Sequence, residues 1–273
     1  MNDLPASYGI VERDETASPV ALHVERLRTL GYTVVPSGFD AAVIDDLRAR
    51  LDAALVRQEA AFGAERLEAI GDRNLVRCPL AEDDAFLRLV TCAPVLEVCQ
   101  ALLGDYFVLM QQNGIVNPSD AGHTQRSFHR DLPYQHFVSS RPLALGALFC
   151  VDPFRRETGS TFVIPGSHKV ESFPAMALAA ELEVSVSADA GSYLVFDAML
   201  FHRAGQNTSG RPRRAVNQVY TLPIIGQQIS LPQALGGRYA DDPVLGRLLG
   251  YATAPAASSA DWRERRLRRT SEA

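Results

Sequence analysis

Residues 201–213 read Phe-His-Arg-Ala-Gly-Gln-Asn-Thr-Ser-Gly-Arg-Pro-Arg, and far upstream residues 128–131 read Phe-His-Arg-Asp. Together the two stretches carry two imidazoles, His129 and His202, and one carboxylate, Asp131. The guanidinium of Arg213 follows eleven residues past His202. On a strand, residues i and i+2 point to one face, so His129 and Asp131 are placed to reach a single ion from one rigid element. His202 then has to arrive from another strand, one that opens onto Ala204-Gly205. A His-x-Asp pair alone is a weak signal, and a lone histidine is more often an ordinary hydrogen-bonded residue. The second segment, with histidine, turn residues and arginine in order, favours two strands of a β core meeting at a metal.

The flanking sequence supports that core. Short β-rich runs at 106–110, 143–151, 161–164, 192–196, 200–202 and 215–222, punctuated by Gly, Pro, Asn and Asp, predict an antiparallel sandwich or barrel. Ahead of them the pattern is helical. Ser18-Pro19 opens a helix striped by Val20, Leu22, Val24, Leu27 and Leu30, Gly31 ends it, and a short strand follows at 32–35. Asp40 caps a longer helix with Ile44, Leu47, Leu51 and Leu55 on one face, and two shorter helices are expected near 83–90 and 93–104. Residues 117–126 read as a polar loop. After Pro223 the chain reads as loop and short helix, with Val244, Leu245, Leu248 and Leu249 as an anchoring turn and a flexible stretch at 252–261. Helices first and strands afterward predict an α+β, mainly β, fold with N-terminal helices packed on one face of the β core. Without an internal repeat or interdomain linker, residues 1–273 read as a single domain. Its parts are a mainly helical 18–104, a β core at 105–223, and a C-terminal 224–273 ending in a flexible tail.

Two imidazoles and a carboxylate on one face of an octahedral ion leave three positions open, the donor set of non-haem Fe(II) oxygenases. If 2-oxoglutarate binds such a metal through its keto-acid end, its distal carboxylate needs a cation. Arginine suits that role because its planar fork pairs bidentately and stays charged. Arg213, across the turn Asn207-Thr208-Ser209-Gly210, is the candidate. Arg211 and Arg214 compete with it, and strand alternation puts Arg213 and Arg214 on opposite faces.

In these blocks the chain resembles the phytanoyl-CoA dioxygenase family, which includes ectoine hydroxylase and many natural-product hydroxylases. The matching residues are Phe128-His129-Arg130-Asp131, Thr158-Gly159 leading into Ile164-Pro165-Gly166-Ser167-His168-Lys169, and His202 through Arg213 with Asn207 and Ser209. Gly31-Tyr32 with Asp40 and its helix, and Leu248-Leu249-Gly250-Tyr251, extend the resemblance over most of residues 20–251. It implies a double-stranded β-helix (jelly-roll, cupin-like) core. It also implies an Fe(II)/2-oxoglutarate-dependent dioxygenase that uses dioxygen to hydroxylate an aliphatic C–H of a small molecule, releasing succinate and CO2. By the family pattern His129, Asp131 and His202 would ligate the iron and form the catalytic centre. Arg213 would hold the 2-oxoglutarate carboxylate, with Asn117 as a second contact. Some relatives replace the aspartate with a small residue and chlorinate, so the presence of Asp131 favours hydroxylation.

Gln112, Arg130 and Tyr134, near the metal motif, are the candidates for contact with substrate. His168 reads as part of a structural turn, and His123 and His136 as surface or hydrogen-bonding histidines. A net charge of -5 gives no reason to expect nucleic acid. No run approaches the ~20 apolar residues of a membrane span. The N-terminus shows no secretory pattern, and the four cysteines form no C-x-x-C pair, so a cytoplasmic monomer or homodimer is expected. The arginine-rich run 262–269 reads as a solvated helical tail or an arm on a neighbouring subunit. Two other readings compete: a cupin-like metal enzyme without 2-oxoglutarate, which has no need of Arg213, and a non-catalytic small-molecule binding module, which has no need of all three metal donors.

Overall fold

The computed structural model describes residues 18–119, 124–132 and 137–271. Helix α1 (Pro19–Thr29) begins where the Ser18 hydroxyl accepts from Ala21 N, and Pro19 pre-sets the first helical φ. Helix α2 (Ala41–Phe62) begins the same way at Asp40, whose carboxylate accepts from Val43 N at 2.9 Å. Around them stand β1 (Tyr32–Pro36), α3 (Ala64–Ala69), β2 (Leu75–Arg77), α4 (Pro79–Glu82), α5 (Leu87–Val90) and α6 (Ala93–Leu103).

The β region comprises β3 (Val108–Asn117), β4 (Ala144–Cys150), β5 (Thr161–Val163), α7 (Met176–Leu182), β6 (Val184–Ser185), β7 (Ser192–Asp197), β8 (His202–Ala204) and β9 (Arg213–Thr221). Six strands pair antiparallel in the order β1-β7-β4-β9-β3-β2, and a smaller sheet runs β6-β5-β8. Helix residues Leu47, Leu51, Val95 and Val98 cluster with Ala147, Val195 and Val216 on one face of the large sheet. Tyr193 and Tyr220 anchor this layer by donating to Leu89 O and Val90 O at 3.0 and 2.8 Å. Gly114 on β3 permits the close approach of α2, since a Cβ there would stand 2.3 Å from Leu51 Cδ1. On the opposite face Leu148, Leu194 and Ala215 meet Val163 of the small sheet. This is the double-stranded β-helix with helices packed on one side, and His129, Asp131 and His202 face the space between its two sheets.

Some elements differ from the sequence expectation. Strand β3 continues to Asn117, through Gln111, Gln112 and Asn113, which interrupt the apolar pattern; inside the fold the amides of Gln112 and Asn113 find partners. The short β2, α3, α4 and α7 were not foreseen in the sequence, being too brief to show a period. Residues 128–131 are not a regular strand. His129 and His202 form an isolated antiparallel bridge, exchanging backbone bonds of 2.9 and 3.1 Å, while Asp131 N donates to Ala198 O. Near the C-terminus lie α8 (Leu231–Ala234), α9 (Pro243–Leu248) and α10 (Ser259–Ser271). Leu248 and Leu249 are buried as the anchoring turn requires, but Val244 is exposed. Among the described residues no single helix is long and apolar enough to cross a membrane.

Candidate metal centre

His129 and His202 sit side by side on the bridged segments, their ring centroids 4.3 Å apart. Asp131 Oδ1 lies 3.9 Å from His129 Nε2 and 3.4 Å from His202 Nε2. One donor atom from each of the three side chains falls within 4.8 Å of the others. The tautomers follow from the backbone. His129 Nδ1 is 2.9 Å from Ser127 O and His202 Nδ1 is 3.0 Å from Leu200 O, and a carbonyl only accepts. Both Nδ1 atoms therefore carry the proton, and both Nε2 atoms face the carboxylate. That is how ligating imidazoles are oriented by outer partners. The donors present fit a divalent metal with N,N,O coordination.

Electrostatics separate the two imidazoles. Burial lowers the His129 pKa, and the neighbouring His202 charge lowers it further. Burial alone would lower His202 too, but the Asp131 carboxylate outweighs it and the net direction is up. Burial raises Asp131, yet the two histidines and a hydrogen bond from Asn217 carry it below the ordinary range. The Asp131 carboxylate and the His202 imidazole thus favour each other's charged form, while burial favours the neutral form of His129. A divalent cation bound there would compete with a proton for His202 Nε2.

Arg213, first residue of β9, lines the same cavity with Ile115, Thr161, Phe196 and Asn217. It is 3% exposed. Its Nη2 donates to Gly159 O at 2.7 Å, its guanidinium stacks 4.5 Å from the Phe154 ring centre, and its Nε is buried without a partner. Burial pulls its pKa down to about 10. Among the described residues no carboxylate pairs with it, an arrangement that calls for an anion from outside. Arg214 points the other way and is held by Asp52 and Asp152, so alternation decides between the two arginines.

Asn117 ends β3 with Nδ2 donating to Gly159 O and Gly205 O, while its Oδ1 is buried and has no partner among the described residues. Gly159 has φ +73°, and a Cβ there would lie 2.5 Å from Asn117 Nδ2, so the position demands glycine. Two substrate candidates lie elsewhere. Gln112 faces the helix layer, where its amide accepts from Leu80 N and donates to Phe86 O. Arg130 alternates away from His129 and Asp131; it is 2% exposed, bonds Met199 O, Ser167 O and Val170 O, and stacks over Phe201. For Arg130 adjacency to the metal motif misled, because neighbours on extended chain face opposite sides; Gln112 was placed by its strand alone, and the face it takes follows from the register of β3. Tyr134, with His123 and His136, lies outside the described residues. His168 is buried in its turn with Nε2 near Arg28 O, away from the metal donors.

Asn217, Thr161 and Phe196 line the cavity unforeseen; only the odd-residue face of β9 (213, 215, 217) pointed to the first of them. Asp197, at the start of the turn leading to His202, was also missed. It is buried and accepts from Met199 N at 2.9 Å. Burial raises its carboxyl to about 6, against the Met199 bond and the charges of Lys169 and Arg130. A folded-state pKa above the ordinary 3.8 means that ionisation opposes folding. The penalty is absent below about pH 4, grows up to about pH 6, and amounts to about 3 kcal/mol above that. Asp197→Asn keeps the acceptor and should match wild type in thermal melts near pH 4 and exceed it at pH 8. A variant less stable at pH 8 would show that Arg130 and Lys169 compensate the charge fully.

Comparison with known proteins agrees with this geometry. The family model described as phytanoyl-CoA dioxygenase matches residues 27–215. The chain is 34% identical over 217 residues to the uncharacterized protein Rv1501 of Mycobacterium tuberculosis, covering 78% of this chain and 79% of that one. It is 29% identical over 223 residues to the dioxygenase af480 of Aspergillus fumigatus, covering 77% and 70%. Among solved structures, EctD from S. alaskensis with 2-oxoglutarate and 5-hydroxyectoine aligns with a TM-score of 0.62 at 24% identity, covering 79% of each chain. The epimerase SnoN in complex with Fe3+, alpha ketoglutarate and nogalamycin RO aligns with a TM-score of 0.60 at 21% identity, covering 75% of this chain and 84% of that one. At these identities the two structures establish a shared fold.

Proposed function

The chain belongs to the phytanoyl-CoA dioxygenase family, and from that we propose that it is an Fe(II)/2-oxoglutarate-dependent dioxygenase hydroxylating an aliphatic C–H of a small molecule, with release of succinate and CO2. The observation that carries the reading is the pairing, in one cavity, of a His-Asp-His donor cluster with a buried arginine that has no carboxylate partner among the described residues. His129, Asp131 and His202 would hold the metal. Arg213 binds the distal carboxylate of 2-oxoglutarate, and Asn117 steadies the Gly159 carbonyl that orients Arg213. Ile115, Leu148 and Phe196 keep water from the reacting centre. What iron supplies when bound is the activation of dioxygen, coupled to oxidation of the co-substrate. Asp131 fills the place that a chloride would need, which favours hydroxylation. Arg213 disfavours the cupin-like alternative, in which a buried lone guanidinium has no task.

Anaerobic addition of Fe(II) and 2-oxoglutarate tests this directly. A weak visible charge-transfer band is expected with wild type, followed by succinate release once oxygen and a substrate are supplied. Bound iron without a band on adding 2-oxoglutarate would sink the co-substrate assignment and leave a metal enzyme of another kind.

A further inference from the structure

Strand β9 presents Arg213, Ala215 and Asn217 on the face toward the small sheet, so the strand that supplies the buried cation also brings an amide to the metal donors. Asn217 is 8% exposed. Its Nδ2 donates to Asp131 Oδ2 at 3.3 Å, a long bond, while Asp131 Oδ1 faces the two imidazoles. In register it lies between Leu148 on β4, which has nothing to offer, and Asn113 on β3, whose amide is spent on Gln228. Among the described residues its own Oδ1 is buried with no partner. A polar side chain kept in a core at that cost, with one useful bond, points to that bond as its purpose.

We infer that Asn217 is a positioning residue for the metal: by holding Asp131 Oδ2 it makes the carboxylate offer Oδ1 alone to the ion. The inference rests on the metal-site reading above. Released from Asn217, the carboxylate is free to rotate or to bind through both oxygens, which would occupy a position meant for co-substrate or dioxygen. The unpartnered Asn217 Oδ1 adds an acceptor beside the centre for a donor on whatever fills the cavity.

The test is Co(II) binding to the full chain, wild type against Asn217→Leu, read by titration and by the ligand-field spectrum, with thermal melts of the metal-free proteins. The leucine has similar volume and removes both the donor and the orphaned acceptor. The metal-free variant is therefore expected to melt no lower than wild type. Its Kd for Co(II) should rise roughly tenfold or more, the scale for losing a partner of a ligand, with an altered spectrum. A purely structural residue would give the reverse: a lower melting temperature with unchanged affinity and spectrum, which would overturn the inference. Asn217→Ser, whose hydroxyl is too short to reach Asp131, should weaken Co(II) in the same way and serves if the leucine variant does not fold. Wild type that binds no Co(II) would overturn both the inference and the metal-site reading, whereas binding equal in wild type and both variants would overturn the inference alone.

Discussion

Replacing His202 with alanine is expected to abolish metal binding and turnover together. Three donors converge within 4.8 Å, so removing one leaves two, too few to hold a divalent ion against water at micromolar concentration. Loss of a mere outer partner costs about 10- to 100-fold in affinity, and loss of a ligand should exceed that. The substitution also reaches the fold. His202 packs 4.7 Å from the Phe196 ring and is the ion-pair partner of a buried Asp131, which its removal would leave uncompensated. A lower melting temperature is therefore expected for His202→Ala without metal. The His129 side chain is more exposed, at 25%, and makes the weaker contact with Asp131, so His129→Ala should lose the metal with a smaller loss of stability. Isothermal titration with Co(II), beside circular-dichroism melts, separates these effects. If His129→Ala bound metal as wild type does, the N,N,O centre would not be the metal site.

How much of this was visible in the sequence follows from which interactions are local. The caps Ser18 and Asp40 and the periodic stripe of α2 act within a turn or two, and both helices stand where they were expected. The His129–Asp131–His202 cluster was legible for a different reason: a histidine two residues before an aspartate, and another at a turn, are sparse features with a distinct chemistry. What stayed hidden depends on pairing between distant strands. Gln112 looked like a pocket residue until the register of β3 with β9 put it on the helix face opposite Gln218. Asn217 gave no signal, since an asparagine in an apolar strand differs from a satisfied core amide only by the neighbours that register brings. The choice between Arg213 and Arg214 could be posed from alternation, but its sign needed Asp52 on α2, a contact across 162 residues of chain.

The choice between those arginines yields the second large expected effect. Arg213→Leu should weaken 2-oxoglutarate by about 10²- to 10³-fold, or ~3–4 kcal/mol, inside the range of roughly 2–5 kcal/mol for truncating one partner of a buried charge pair. Metal affinity should stay unchanged, since Arg213 bonds Gly159 O and touches none of the three donors. Stability is the discriminating quantity. Without co-substrate, wild type buries a guanidinium whose Nε has no acceptor and whose pKa burial has pulled to about 10. Leucine removes that penalty, so the metal-free variant should melt at or above wild type. Arg214→Leu predicts the opposite, because it breaks the bonds to Asp52 and Asp152 that tie β9 to α2 and to the end of β4. It should melt lower while binding 2-oxoglutarate normally. Arg213→Lys should restore little, since an ammonium cannot present the planar fork to a carboxylate. Co-substrate titrations of the four iron-loaded proteins, monitored by the charge-transfer band, distinguish these outcomes. Equal 2-oxoglutarate affinity in wild type and Arg213→Leu would mean that the buried Arg213 guanidinium serves some other anion, and with it the strongest argument for 2-oxoglutarate would fall.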